Sequence, residues 1–135
     1  MLILGIESSC DETGLALYSE GEGLIAHMVN SQVELFTEYG GVIPEIAARD
    51  HSVKIINILK TLLKKADKKL NDINLVAYTA GPGLIGSLMV GETVAKTISN
   101  VLDIELLPIN HLEGHILSTS FNNNIKFPNL ILLLT

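Results

Sequence analysis

Two histidines four positions apart carry the plainest chemical signal in this chain. In Asn110-His111-Leu112-Glu113-Gly114-His115, a helix that starts after Asn110 puts His111 and His115 on one face, with imidazoles close enough to share a metal ion. Asn110 is a good N-cap type, and Glu113 would stand at the third helical position, giving an Asn version of the capping box. A helix N-terminus disfavours imidazolium, which suits a ligating histidine. The pattern is not the zincin H-E-x-x-H: Glu113 follows His111 by two positions and points to another face, so capping rather than general-base duty is expected of it. A metal site also needs a third ligand. His27 and His51 have no motif spacing to the pair, and by spacing alone the pair fits a surface coincidence as well as a ligand set.

A second group lies in the loop Glu7-Ser8-Ser9-Cys10-Asp11-Glu12-Thr13-Gly14. Acids and hydroxyls at a strand end suit phosphate, metal-bound water or general-base chemistry; a polar hairpin connection is the simpler reading of the same residues. Cys10 has no base beside it in the pattern and is expected to be inert. The run Gly81-Pro82-Gly83-Leu84-Ile85-Gly86, followed by Asp103, satisfies the dinucleotide fingerprint in form. It follows the wrong strand, however, and Pro82 removes an N–H from the loop that would cradle a pyrophosphate. A tight strand-to-helix turn, with Gly86 and Gly91 admitting close packing, is the favoured reading. Lys60, Lys64, Lys65, Lys68 and Lys69 form the basic cluster, expected to be a solvated helix face rather than a phosphate contact. Glu45 and Arg49 are spaced as a structural i,i+4 pair.

The elements that must hold these residues follow from periodicity. Leu2–Ile6 reads as a buried strand, Leu15–Tyr18 as its partner, and Leu24–Val29, after the turn Glu20-Gly21-Glu22-Gly23, as the third strand of a meander. Pro44 suits the first residue of a helix, and Ile55, Ile56, Leu59, Leu62, Leu63, Ala66 and Leu70 keep helical spacing. A strand over Leu75–Ala80 runs into the glycine turn, and a helix carries Leu84, Leu88, Ala95, Ile98 and Leu102. A short strand over Ile104–Leu107 stops at Pro108, a helix begins near Asn110, Asn122-Asn123-Asn124 is a loop, and a last strand follows Pro128. The order βββ-α-β-α-β-α-β indicates an α/β layer fold with a mixed sheet, the organisation of a ribonuclease-H-like lobe.

Composition sets limits on function. The chain has 135 residues, with nine Lys and Arg against fifteen Asp and Glu for a net charge of −6, and 47% of its residues are apolar; its mean hydropathy is +0.39. Such a length fits one domain that buries roughly two-thirds of its unfolded surface, and the apolar content excludes low-complexity disorder. A single cysteine excludes a disulfide scaffold. The acidic balance argues against a free-standing nucleic-acid binder. Every apolar run is broken too soon for a spanning helix, and the N-terminus has no basic region of a signal peptide. The apolar run Leu130-Ile131-Leu132-Leu133-Leu134-Thr135 stops without a polar tail, so truncation is expected.

Four motifs in order, Gly5-Ile6-Glu7-Ser8-Ser9-Cys10-Asp11-Glu12-Thr13, Tyr39-Gly40-Gly41-Val42-Ile43-Pro44-Glu45 with Arg49 and His51, Gly81-Pro82-Gly83-Leu84 with Gly86 and Gly91, and Asn110 to His115, resemble the TsaD/Gcp family of tRNA adenosine threonylcarbamoyltransferases, in its bacterial or organellar branch. The resemblance implies an actin-like (ASKHA) fold of two lobes, of which residues 1–135 are the N-terminal one, in a cytoplasmic enzyme. It implies transfer of threonylcarbamoyl from threonylcarbamoyl-AMP to the exocyclic amine of the adenosine beside the anticodon, in tRNAs reading codons that begin with A. His111 and His115 match the family's metal ligands for one iron or zinc ion. Asp11 matches a proposed catalytic acid, with Glu12 beside it. Leu134 and Thr135 match the first edge of the acyl-adenylate site. A third metal ligand, an Asp, and most of the adenylate pocket are implied in the second lobe, and TsaB-like and TsaE-like subunits are implied as partners. These residues alone are therefore expected to lack transferase activity and to hold metal weakly. The rivals are a non-catalytic scaffold paralogue, which lacks the histidine pair; an ASKHA kinase or ATPase, whose first loop carries an Asp-x-Gly-type pattern; and a nicotinamide enzyme using Gly81 to Gly86. A protease reading has little support, because Glu113 is misplaced.

Overall fold

The computed structural model describes residues 1–121, 126 and 128–133. The N-terminal meander forms as its alternation dictates: β1 (Leu2–Glu7), β2 (Glu12–Ser19) and β3 (Gly23–Ser31) pair antiparallel, with Leu4 opposite Leu17 and Leu15 opposite Met28. β4 (Leu75–Gly81) joins β1 in parallel and β5 (Glu105–Asn110) joins β4 in parallel, so the five-stranded order is β3-β2-β1-β4-β5. This is the expected mixed sheet of a ribonuclease-H-like, actin-like fold, with β1 at its centre.

Because the side-chain period of a strand is two, each strand offers one set of residues to each face. Leu2, Leu4, Ile6, Leu15, Leu17, Ala26 and Val76 point to one face, where α2 (Pro44–Lys65) contributes Ile55, Ile58, Leu59 and Leu62 and α3 (Ile85–Leu102) contributes Ala95 and Ile98. The two helices also pack on each other. Burying each such Leu or Ile contributes about 1.5–3 kcal/mol, so this face holds the fold together. The opposite face is floored by Gly5, Gly14, Ala16 and Ala77, and α4 (His111–Ser118) stands over one side of it.

Several boundaries differ from the periodicity, each for a local reason. α2 stops at Lys65, and Asp67 turns left-handed at φ 51°, so Lys68 N–H bonds to the Leu63 carbonyl at 3.0 Å and closes the helix end. Lys68, Lys69 and Leu70 therefore lie beyond the helix, and the lysine cluster is not one helical stripe. Ile56 faces solvent at 43% exposure, not the core. Asp103, at φ 53°, ends α3 in the same left-handed way. β5 continues through Pro108, opposite Tyr78; among the described residues β5 is the last strand of the sheet, a position where a strand tolerates proline. A short helix α1 (Val33–Phe36) with a 3-10 turn at Thr37–Tyr39 fills a segment that carried no periodic signal.

The strand expected after Pro128 is not formed by residues 128–133, where Leu130 is 99% and Leu132 80% exposed. An apolar run becomes a strand only when a neighbour satisfies its backbone, and the sheet among the described residues ends at β5. The Asn122-Asn123-Asn124 loop falls outside the described residues. No helix among the described residues is long and apolar enough to cross a membrane.

Candidate functional site: a histidine pair above the first loop

The loop from Ser8 to Asp11 leaves the end of β1 and is fastened on every side. Ser8 is buried, and its hydroxyl donates to the Ser87 carbonyl at 2.8 Å and accepts from the Gly91 N–H at 3.2 Å. It thus bridges two groups of α3 that an uninterrupted helix would join directly. The Ser9 carbonyl accepts from the Leu84 N–H at 2.8 Å. The Cys10 carbonyl accepts from His51 Nε2 at 3.0 Å and from the Ser87 hydroxyl at 3.4 Å. The Asp11 carbonyl accepts from the Gln32 N–H at 2.9 Å.

His51 is fully buried on α2. A carbonyl can only accept, so Nε2 bears the hydrogen that Cys10 receives, and Nδ1 meets the Thr13 hydroxyl at 2.7 Å. His51 therefore shapes the loop and stands apart from the His111/His115 pair. His27 lines the open groove with that pair. Glu45 and Arg49 are both exposed, and among the described residues they form no ion pair; the helical pairs are Asp50–Lys54 and Glu92–Lys96.

The glycine run serves this packing. A Cβ at Gly83 would come within 2.6 Å of the Ser9 carbonyl oxygen, one at Gly86 within 3.1 Å of Ala48 Cβ, and one at Gly91 would collide with the Ser8 hydroxyl. The Leu84 N–H, which a dinucleotide fingerprint would offer to pyrophosphate, is spent on Ser9. The strand-to-helix turn is the reading that holds.

α4 begins as its sequence requires. The Asn110 side chain accepts from the Leu112 and Glu113 N–H groups at 2.9 and 3.4 Å. The reciprocal half of the capping box is not made among the described residues: Asn110 is also the last residue of β5, in register with Gly81, so its backbone belongs to the strand. The cap sets His111 and His115 side by side, with Nε2 atoms 3.0 Å apart and rings nearly perpendicular, their centroids 4.4 Å apart. Among the described residues no third His, Cys, Asp or Glu joins them.

The far side of the His111 ring reaches back to the first loop, a contact that spacing did not reveal. His111 Nδ1 lies 3.2 Å from the Ser9 hydroxyl and 3.5 Å from Glu7 Oε2. Glu7 Oε1 accepts from the Ser9 N–H at 2.6 Å, and the Thr79 hydroxyl donates to Oε2. Burial pushes the Glu7 carboxyl upward, but the hydrogen bonds from Ser9 and Thr79 and the His111 charge outweigh it and hold the group below the usual glutamate range. Glu7 and Thr79 meet because β1 and β4 run parallel with Ile6 opposite Tyr78, a register with no local signature in the sequence.

Two imidazole nitrogens this close, with His111 held from behind, are a fitting donor pair for a borderline transition metal. Glu12 lines the same groove, of about 570 Å³, with Gly5, Glu7, His27, His111 and His115. Asp11 is half-buried beside Cys10 and is not among the residues lining that groove. Burial first, then the Asp11 charge and hydrogen bond, push the Cys10 thiol above its ordinary value, which suits an inert cysteine. Leu134 and Thr135 fall outside the described residues.

Comparison with known proteins bears on the family and the fold. The family described as tRNA N6-adenosine threonylcarbamoyltransferase (TsaD) matches residues 23–135. A curated protein of that description from Chromobacterium violaceum is 49% identical over 136 aligned positions, which take in 100% of this chain and 40% of the relative. The chain thus spans about two-fifths of that relative's length. Among solved structures, YeaZ from Pseudomonas aeruginosa superposes with a TM-score of 0.60 at 18% identity, over 81% of this chain and 42% of that one. A second structure described as similar to peptidase YeaZ from Pseudomonas aeruginosa gives 0.59 at 19% identity, over 81% and 43%. At these identities the two structures share the fold.

Proposed function

Because the chain belongs to the TsaD family of tRNA N6-adenosine threonylcarbamoyltransferases, we propose that residues 1–135 form the first lobe of a cytoplasmic enzyme that moves threonylcarbamoyl from threonylcarbamoyl-AMP to tRNA. The acceptor is the exocyclic amine of the adenosine beside the anticodon, in tRNAs reading codons that begin with A. The observation that carries this reading is the His111/His115 pair, with Nε2 atoms 3.0 Å apart at a capped helix start, in a chain of this family. The two histidines would hold one iron or zinc ion, completed by an acid from a second lobe. When bound, the ion would supply Lewis acidity and a template for the acyl unit.

The chain's own residues have separate parts. The adenosine amine forms a bond to the carbamoyl carbon, the bond from that carbon to the AMP phosphate oxygen breaks, and AMP leaves. The amine loses one proton, which Asp11 accepts, with Glu12 beside it at the groove. The fastening of the loop through Ser8, Ser9 and Cys10 holds the backbone from which these carboxylates project. Leu134 and Thr135 begin the acyl-adenylate edge, and TsaB-like and TsaE-like subunits complete the assembly. The 135 residues by themselves hold metal weakly and do not transfer.

The test is a chimera in which residues 1–135 replace the matching segment of the Chromobacterium violaceum relative, assayed with its partner subunits for threonylcarbamoyladenosine in tRNA. The chimera is expected to be active, and His111→Ala or Asp11→Ala within it is expected to lose at least about 100-fold in rate, in the range that removal of a metal ligand or a general base costs. A folded but inactive chimera, or full activity in the His111→Ala form, overturns the proposal. Transfer by the 135-residue chain alone would overturn its dependence on a second lobe.

A further inference from the structure

The three groups behind His111 have one feature in common: each can be assigned a direction of hydrogen donation. The Ser9 N–H and the Thr79 hydroxyl both donate to Glu7, one to each carboxylate oxygen. An ionised carboxylate has only lone pairs to offer. The Nδ1 edge of His111, 3.5 Å from Glu7 Oε2 and 3.2 Å from the Ser9 hydroxyl, is therefore favourable only with its hydrogen on Nδ1. A lone pair there would face the carboxylate directly. With Nδ1 protonated, His111 Nε2 is an acceptor, and the hydrogen in the 3.0 Å contact belongs to His115 Nε2. The donations then run one way, from His115 to His111 and from His111 Nδ1 to the Ser9 hydroxyl, with the Glu7 carboxylate facing the same edge at 3.5 Å and fixed from its other side by Thr79 and the Ser9 N–H.

The geometry points to Glu7, held by Thr79 and Ser9, as the positioning residue that fixes the tautomer and ring angle of His111 and so presents its Nε2 lone pair for a cation shared with His115. This rests on the reading of the pair as a cation site. Neither spacing nor family membership singles out Glu7 for that role; the parallel register of β1 with β4 and the turn into α4 bring it there. Its neighbours in the first loop, Asp11 and Glu12, make no hydrogen bond or ion pair with the ring. A partner on the second nitrogen of a ligating histidine typically changes metal affinity by about 10- to 100-fold.

The experiment uses the 135-residue chain with zinc ion alone as probe, and reads two signals. Long-range nitrogen–proton correlation on the metal-free chain is expected to show the His111 hydrogen on Nδ1 and the His115 hydrogen on Nε2. Zinc titration by calorimetry is expected to weaken about 10-fold in Glu7→Gln, because an amide offers one acceptor oxygen where the Ser9 N–H and the Thr79 hydroxyl need two, and it removes the negative charge facing Nδ1. Thr79→Val should weaken binding about three-fold and mix the His111 tautomers, and Thr79→Ser should restore both signals. The Thr79 variants keep the readout available should the Glu7 variant fold poorly. A His111 hydrogen on Nε2 in the unaltered chain overturns the inference, as does wild-type zinc affinity in both Glu7→Gln and Thr79→Val. If zinc uptake by the unaltered chain is too weak to read, the tautomer signals decide whether Glu7 positions the ring, and a His111 hydrogen on Nε2 overturns the inference.

Discussion

At the residue scale, the first loop separates groups that sequence alone places side by side. Glu7, Ser8, Ser9, Cys10 and Asp11 are consecutive, yet Ser8 turns into α3, Ser9 and Glu7 turn to His111, and Cys10 stays exposed. The cysteine gives a direct check. Burial and the neighbouring Asp11 charge raise its thiol pKa, and only the thiolate is the nucleophile. Alkylation by iodoacetamide at pH 7.5 should be slower than for a free cysteine in spite of the exposure, and should rise steadily as pH is taken above the ordinary thiol value. Asp11→Asn removes a negative neighbour, lowers the thiol pKa and should speed the reaction at pH 7.5. An unchanged rate would mean that Asp11 does not face the sulfur.

At the element scale, the decisive contact is between the first loop and α3. Ser8 and Gly91 act as a unit, because the hydroxyl occupies the space a Cβ would need and receives the Gly91 N–H. Gly91→Ala should cost about 2–3 kcal/mol of stability by overpacking against a buried polar group. Ser8→Ala should cost about 1 kcal/mol, since one hydroxyl's hydrogen bonds are lost while the helix can restore its own. The double variant should cost less than the sum, with a coupling of at least about 0.5 kcal/mol in urea denaturation. Strict additivity would show that the two do not share one space. Gly83→Ala belongs to the same class, because Ser9 backbone rather than a flexible side chain stands in the way.

At the scale of the whole molecule, charge and open surface matter more than any one contact. The net charge is −6, and the lysines are divided between α2 (Lys60, Lys64, Lys65) and the turn beyond it (Lys68, Lys69) rather than set along one helix face. In filter binding at 150 mM salt the chain alone should retain tRNA no better than a neutral control, and tight, salt-sensitive retention would contradict this. The sheet buries one face under α2 and α3, while the other is floored by Gly5, Gly14, Ala16 and Ala77. That floor is why the high apolar content does not translate into a core on both sides.

The division between sequence and tertiary structure follows the range of the interactions. The meander, α2 from Pro44, the glycine turn, the Asn110 cap and the His111/His115 spacing are each announced by a local signal, where period, capping type and glycine position are enough. The ends were less legible. Asp67 and Asp103 stop helices in a left-handed conformation that Asp only sometimes adopts. Pro108 stays in a strand because that strand is the last of the sheet among the described residues, and Leu130 to Leu133 stay unpaired because no described neighbour receives them. The site's inner layer was not legible at all. Ser9 meets His111 across 102 positions along the chain and Thr79 meets Glu7 across 72, and only the parallel register of β1 with β4 and the direction in which β5 delivers α4 decide those meetings. The sequence by itself determined which side chains can bind a cation; the fold decided which carboxylate stands behind them, because a hydrogen bond between distant residues depends on strand register, and register is a property of the packed sheet.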